Sequence, residues 1–361
     1  MQKRVSLKDI ALRAGVSTAA VSYVLNNDKE KQSKIGKDVA KRIKAIARQL
    51  NYQPNHIARS LRSGVTHTIG LIVEDISNPF FSNLASIIEK GAKAHGYTVV
   101  IGCHYENMKN SEDLLDTLMH RQVDGIIITP VDKSEKHIRK LAKSGIPHVL
   151  VDRYFTRVPT NTVTINNLEV SHTAVSHLIA QGYKRTAMIA YDSSFEHMHD
   201  RVKGYQKALK DHGLTVPEYY LQRVQFPNVE DDIADAIRRL MKGKNRPDSL
   251  FFENNIIAVK SLDVINQLNI RVPEDLGIVS FDSRDAFNYF YSPLSYIEQN
   301  LQKVGDEAIR LLLATMNDRT SPPAHIVVDA RLVIRKSSVK IKNPEQVSSA
   351  KDAGKKLLRI S

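Results

Sequence analysis

Apolar residues return along this chain in two rhythms. Over the first fifty residues they recur every three or four positions: Ile10, Ala11 and Ala14 form one stripe, Val21, Val24 and Leu25 a second, and Val39, Ile43, Ile46, Ala47 and Leu50 a third. That spacing predicts three helices. Ser6 is placed to cap the first, with Asp9 three residues on to answer it, Gly15 ends it, and Ser17 caps the second. The turn between them is too tight for anything but a steep crossing. The second helix turns Thr18, Ala19, Ser22, Tyr23 and Asn26 outward. A small polar face on the second of two short crossed helices predicts a helix-turn-helix, with that face in a DNA major groove. The segment 28–34 is charged, has no apolar residue and reads as a loop.

From Thr68 the second rhythm takes over. Apolar runs at 69–73, 98–101, 125–129 and 147–151 alternate with helix-period segments, and the pattern restarts at 162–165 and continues through 187–190, 220–224, 249–252 and 277–281. Strands separated by crossover helices predict parallel sheets of the α/β class. Two such series imply two lobes with a cleft, and ligands of open parallel sheets bind at the carboxyl ends of the strands. Between the two rhythms, Pro54 breaks the chain before a helical stretch at 55–62 that ends in Ser63 and Gly64. Eight residues are too few to hold a helix alone, so this stretch needs outside support.

Charge sharpens this division. The 361 residues carry a formal net charge of +13, but residues 1–65 hold +10, residues 66–335 hold −2 and residues 336–361 hold +5. A basic end on a near-neutral body is the electrostatic footprint of phosphate neutralisation at that end. No apolar run has signal-peptide or membrane-span length, so a cytoplasmic location without membrane partners is expected. The single cysteine, Cys103, lies in a strand-like run and is expected to be a buried structural thiol.

Polar residues stand where the strand-end rule wants them. Asp75 follows the first strand, Arg153 the fourth, Asn254 and Asn255 a strand of the second lobe, and Asp282 its last. Arg201 opens a helix, and Phe80, Phe81 and Phe226 are aromatic platforms. Carboxylates, amides and a guanidinium together suit a small polyhydroxylated or planar ligand. Each residue taken singly is better explained as a helix cap or loop contact; only convergence in a fold makes a site of them. No dinucleotide-binding glycine pattern, Walker loop or nucleophile elbow is present. No catalytic residue, cofactor or metal is therefore expected, and His197, His199 and Asp200 read as helix-start residues. A solute-binding protein for export would need a leader where this chain has a basic helical domain.

Taken together, these residues resemble the lactose-repressor/galactose-repressor (LacI/GalR) family of bacterial transcription regulators from about Ser6 to Lys336. The resemblance rests on the segments 7–17, 21–26, 50–55, 58–61, 76–81, 123–125, 201–205, 272–276 and the pair Phe281 and Asp282. It implies a helix-turn-helix headpiece at 1–52, a hinge helix and linker at 53–65, a two-lobed periplasmic-binding-protein-like (type I) effector and dimerisation domain at 66–335, and a basic tail at 336–361. The chain would cross three times between lobes, with residues from about 293 to 321 returning to the first. A homodimer would bind a near-palindromic double-stranded operator and act as a repressor under a small-molecule effector, with a carbohydrate expected. The resemblance puts Ser6, Ser17, Thr18, Ala19, Ser22, Tyr23, Asn26, Asn55, Ala58, Arg59 and Leu61 on DNA, with Leu61 wedged into the minor groove. It puts Asp75, Phe80, Arg153, Arg201, Phe226, Asn254, Asp282 and Gln299 on the effector. Tyr23 stands where the family usually has Arg or His, so a standard guanine contact is missing.

Overall fold

The computed structural model describes residues 5–25, 29–52, 64–225 and 229–341. The chain divides into two compact units, Met1–Thr66 and His67–Ser361. Each is described by itself.

In the first unit, α1 (Leu7–Ala14), α2 (Thr18–Leu25), α3 (Lys29–Gln32) and α4 (Lys37–Gln49) enclose a small core. Ser6 and Asp9 form the expected capping box: the Ser6 amide donates to the Asp9 carboxylate at 2.7 Å and the Asp9 amide to Ser6 Oγ at 3.4 Å. Gly15 closes α1 in the left-handed region at φ 63°, a conformation that costs a residue without Cβ little. Ser17 Oγ accepts from the Ala20 amide at 3.2 Å and so caps α2. Ile10, Ala11, Ala14, Val21, Val24, Ala40, Ile43 and Ala47 are the buried set, with Val39, Ile46 and Leu50 only partly covered. One expectation is corrected: part of the segment read as a loop is the four-residue helix α3. Lys, Glu and Gln are good helix formers, and an absence of apolar residues does not prevent a single turn.

The second unit holds two six-stranded sheets. The first runs β11 (His325–Val328), β5 (Asn161–Ile165), β4 (His148–Val151), β3 (Gly125–Ile128), β1 (Thr68–Val73), β2 (Thr98–Cys103) and is parallel throughout. The second runs β12 (Arg331–Val333), β10 (Ser295–Glu298), β9 (Gly277–Phe281), β8 (Ser249–Phe252), β6 (Thr186–Tyr191), β7 (Leu221–Val224), antiparallel only at β10 and β12. Both faces of the first sheet are buried, since Ile69, Leu71 and Val73 belong to one core and their neighbour Ile72 to another. β2 ends its sheet, so Cys103 is half-buried and not the buried thiol expected.

Sheet membership departs from the sequence expectation at two strands. Thr162–Ile165, expected to open the second lobe, pairs instead with β4 and β11 in the first sheet. Ser295–Glu298, expected to lie beyond the return crossing, pairs with β9 in the second. A short apolar run has the same appearance in either sheet; long-range pairing decides which it joins. The three crossings therefore fall at residues 166, 299–300 and 329–330. The first and third are tied by one side chain: Asn166 Oδ1 accepts from the Ala330 amide at 2.9 Å, and its Nδ2 donates to Asp329 at 3.3 Å.

On the second lobe, the helix Asn167–Ala180 packs against the helix Glu196–Asp211 at Gly204. A Cβ on Gly204 would lie 2.4 Å from the Leu168 carbonyl and 2.7 Å from Ser171 Cβ. No rotamer relieves a clash with backbone. Gly204→Ala is expected to lower stability by about 1–3 kcal/mol, read as a fall in the urea midpoint at unchanged slope.

Candidate functional site

The cleft between the two sheets holds a cavity of about 340 Å³, within the roughly 300–1,000 Å³ of ordinary small-molecule sites. Its walls come from strand carboxyl ends of both lobes. Glu74 follows β1, Asp152 and Arg153 follow β4, Asp282 follows β9 and Gln299 follows β10. Asp152 and Asp282 both sit in the left-handed region, at φ 68° and 60°, an uncommon conformation that Asp tolerates better than most residues.

The first-lobe wall is built on Arg153. Its guanidinium is buried, pairs with the carboxylates of Glu74 and Glu106, donates to the Pro130 carbonyl at 3.2 Å and lies 4.6 Å from the Phe195 ring centre. Burial works against this charge, but Glu74 and Glu106 outweigh it and hold Arg153 protonated. Two carboxylates on one guanidinium leave an excess of negative charge. Burial, opposed by Arg153 and reinforced by Glu106, pushes Glu74 up to about 7. His104 orients Glu106: its Nδ1 accepts from the Glu106 amide at 3.1 Å and its Nε2 faces the Thr129 carbonyl at 3.0 Å. Burial lowers the imidazole to about 4, so it is neutral with the proton on Nε2.

The second-lobe wall is built on Arg201. Its Nε donates to Asn167 Oδ1 at 2.9 Å and Nη1 to the Glu253 carbonyl at 3.0 Å, and the guanidinium carbon lies 3.6 Å from the Phe281 ring centre. Gln299 donates to Asp282 at 2.6 Å. Burial pushes Asp152 up to about 6 and raises Asp282, with Arg201 pulling both the other way. Across the cleft, Asp132 of the first lobe accepts from the Ser194 amide at 3.2 Å, and Tyr154 donates to Asp200 at 3.4 Å.

Of the residues expected at an effector, Phe80, Arg153, Arg201, Asn254, Asp282 and Gln299 line the cavity. Asn254 also has the bland role weighed for it, because its Oδ1 caps the following helix at the Ile257 amide, 2.9 Å away. Asp75 does not line the cavity: its carboxylate accepts from the Ser77 amide at 2.8 Å and from Ser77 Oγ at 2.6 Å. Glu74 takes the place expected of it, since successive residues of an extended chain face opposite ways. Phe226 lies outside the described residues. Asp152 and Glu106 escaped sequence reasoning. The first obeys the strand-end rule already applied to its neighbour Arg153; the second sits in the loop after β2, where no pattern points to it.

In the headpiece, Ser17, Thr18 and Ala19 are exposed on one end of α2, and Ser22 and Tyr23 are half-buried beside them. Lys31 Nζ of α3 lies 5.6 Å from the Tyr23 ring centre. Ser6 is exposed, with its hydroxyl on Asp9 at 2.7 Å. Asn26, Asn55, Ala58, Arg59 and Leu61, with the stretch read as a hinge helix, lie outside the described residues. His197, in the first turn of the helix Glu196–Asp211, is buried 5.3 Å from the Phe195 ring, and burial holds it well below its usual range.

Known proteins match along the same lines. A family model described as bacterial regulatory proteins, lacI family, matches residues 6–55, and one described as a periplasmic binding protein-like domain matches residues 175–338. The HTH-type transcriptional repressor CytR of Escherichia coli (strain K12) is 32% identical over 92% of this chain and 96% of its own length. The HTH-type transcriptional repressor PurR of Photobacterium profundum is 30% identical over 92% of this chain and 98% of its own. Among solved structures, the lac repressor dimer bound to operator and the anti-inducer ONPF shares the fold at a TM-score of 0.80, with 22% identity over 93% of this chain and all of that one.

A buried acid behind the Arg201 wall yields a stability test. Glu253 accepts from the Tyr191 amide at 2.7 Å, and burial pushes its carboxyl from 4.5 up to about 7. A folded pKa above the unfolded one contributes stability in full below pH 4.5 and loses it as pH rises through 7. Glu253→Gln cannot titrate. Relative to this variant, the native chain is expected to lose stability between about pH 5 and pH 8 in urea titrations.

Proposed function

Since the chain belongs to the LacI family of bacterial regulatory proteins and is a DNA-binding transcriptional repressor under small-molecule control, we propose that its effector is a carbohydrate held in the interlobe cavity. One observation carries this: Asp152, Asp282 and Gln299 from strand carboxyl ends and Arg201 from the helix Glu196–Asp211 line a cavity whose other walls include Phe80 and Phe195. Hydrogen-bonding groups with aromatic faces beside them suit a hydroxylated ring. Among the described residues no group of three or more His, Cys, Asp or Glu could hold a metal ion, and no described helix is long and apolar enough to cross a membrane.

The mechanism follows from the two walls. A ligand touching Arg201 and Asp282 on one lobe and Asp152 on the other bonds both lobes at once, and so favours one lobe arrangement over another. Residues 1–52 act as the headpiece, 53–65 as the hinge and 66–335 as the effector and dimerisation body. Two headpieces in a homodimer read a near-palindromic operator, with Thr18 and Ala19 at base edges, Ser17 and Ser22 on phosphates or bases, and Leu61 in the minor groove. Coupling between cavity and operator is reciprocal, so operator DNA changes effector affinity by the same factor.

The test is a gel shift on the promoter beside the protein's own gene, with sugars added. Arg201→Ala is expected to keep operator affinity within about threefold and to lose at least nine-tenths of the sugar response. Retention of the full response in Arg201→Ala sinks the cavity assignment. Thr18→Ala is expected to weaken specific operator binding by about 1–3 kcal/mol with non-specific binding unchanged, measured against scrambled duplex.

A further inference from the structure

We infer that the interlobe cavity selects its ligand by charge, accepting a donor-rich molecule without negative charge and rejecting the carboxylated and phosphorylated counterparts of that molecule. The inference rests on the assignment of this cavity to the effector and narrows the effector's chemistry.

The described lining residues include the carboxyl groups of Glu74, Glu106, Asp132, Asp152, Asp192 and Asp282 against the two guanidiniums of Arg153 and Arg201. Positive charge is already committed. Arg153 pairs with Glu74 and Glu106 and donates to the Pro130 carbonyl, and its Nε, without a hydrogen-bond partner, lies 3.9 Å from Asp152, so its charge is already answered by the carboxylates of its own wall. Arg201 spends Nε and Nη1 on Asn167 and the Glu253 carbonyl, which leaves further N–H groups to donate. Its charge is nonetheless answered from within, because Asp152 and Asp282 both feel it. Arg201 can therefore hydrogen-bond a ligand oxygen without being an open anion site.

The acceptors are unevenly committed. Asp132 is taken up by Ser193 and Ser194, and Asp192 accepts from Gln225 at 2.8 Å. Asp282 uses Oδ1 for Gln299 and keeps Oδ2. Asp152 stands 3.9 Å from Arg153 Nε, beyond hydrogen-bond distance. One carboxylate from each lobe is thus left to accept a ligand hydroxyl or amine. A ligand carboxylate or phosphate in the same place meets two desolvated like charges, whereas a hydroxyl satisfies an acceptor that burial would leave unpaired.

The test uses the full chain and matched sets: glucose, glucuronate and glucose 6-phosphate; ribose and ribose 5-phosphate; glucosamine; adenosine and adenosine 5′-monophosphate. Affinities are measured by calorimetry and thermal shift, and binding counts as cavity binding only where Arg201→Ala weakens it. The expected result is that at least one member without negative charge binds and that its acid or phosphate binds at least tenfold more weakly. Asp152→Asn and Asp282→Asn are expected to narrow that gap by at least threefold. A set in which the acid or phosphate matches the neutral member overturns the inference, as does a panel in which no member free of negative charge binds. Operator affinity is followed in parallel. A neutral ligand that occupies the cavity but leaves operator binding unchanged sinks the regulatory assignment and leaves the charge selection intact.

Discussion

Two guanidiniums, one rooted in each lobe, make it possible to keep a cleft lined with carboxylates folded. An unpaired ionised group taken out of water costs several kcal/mol even after relaxation, and this cleft gathers Glu74, Glu106, Asp152 and Asp282 within one cavity. Arg153 answers the first two directly, and Arg201 opposes the burial that would otherwise neutralise the last two. Neither arginine is held by carboxylates alone. Arg153 rests on the Phe195 ring and Arg201 on the Phe281 ring, with backbone carbonyls taking further N–H groups. The guanidiniums are consequently rigid, and their geometry is set before any ligand arrives.

That rigidity has a source in the packing. Arg201 lies on a helix whose Gly204 sits against the backbone of Asn167–Ala180, and Asn167 of that same neighbouring helix receives Arg201 Nε. Phe195, on which Arg153 leans, precedes the helix that carries Arg201. The two walls thus share a framework although they belong to different lobes. Small shifts between lobes alter the distance between Asp152 and Asp282 and the stacking of Arg153 on Phe195, while leaving Arg201, whose partners Asn167, Glu253 and Phe281 share its lobe, in its seat. A site built this way converts lobe position into ligand affinity, and the reverse follows from linkage.

The crossings complete the picture. Asn166 ties the first and third together through Asp329 and Ala330, and Gln299 at the second holds Asp282. Three short crossings are the covalent links between the lobes, and the second of them contributes Gln299 to the cavity wall. Asp132 with Ser194, and Tyr154 with Asp200, bridge the lobes elsewhere. These are exposed or half-buried bonds, individually worth about 0.5–1.5 kcal/mol, so they close the cleft without locking it.

Local physics made much of this legible from the amino-acid order alone. The caps at Ser6 and Ser17, the left-handed Gly15 and the stripes at Ile10, Val21 and Ile43 specify the helical headpiece, because capping and periodicity act within a few residues. The alternation of apolar runs with helical segments likewise specified parallel α/β lobes, and the rule that sites lie beyond strand ends found Arg153 and Asp282; Arg201, expected to open a helix, lies instead in the second turn of Glu196–Asp211, because that helix starts five residues earlier. Tertiary structure alone decided which sheet received 162–165 and 295–298, that Glu74 and not Asp75 faces the cleft, and that Glu106 reaches Arg153 from 47 residues away. Strand partners and buried ion pairs are chosen by energies summed over distant segments, and no short stretch of sequence carries that sum.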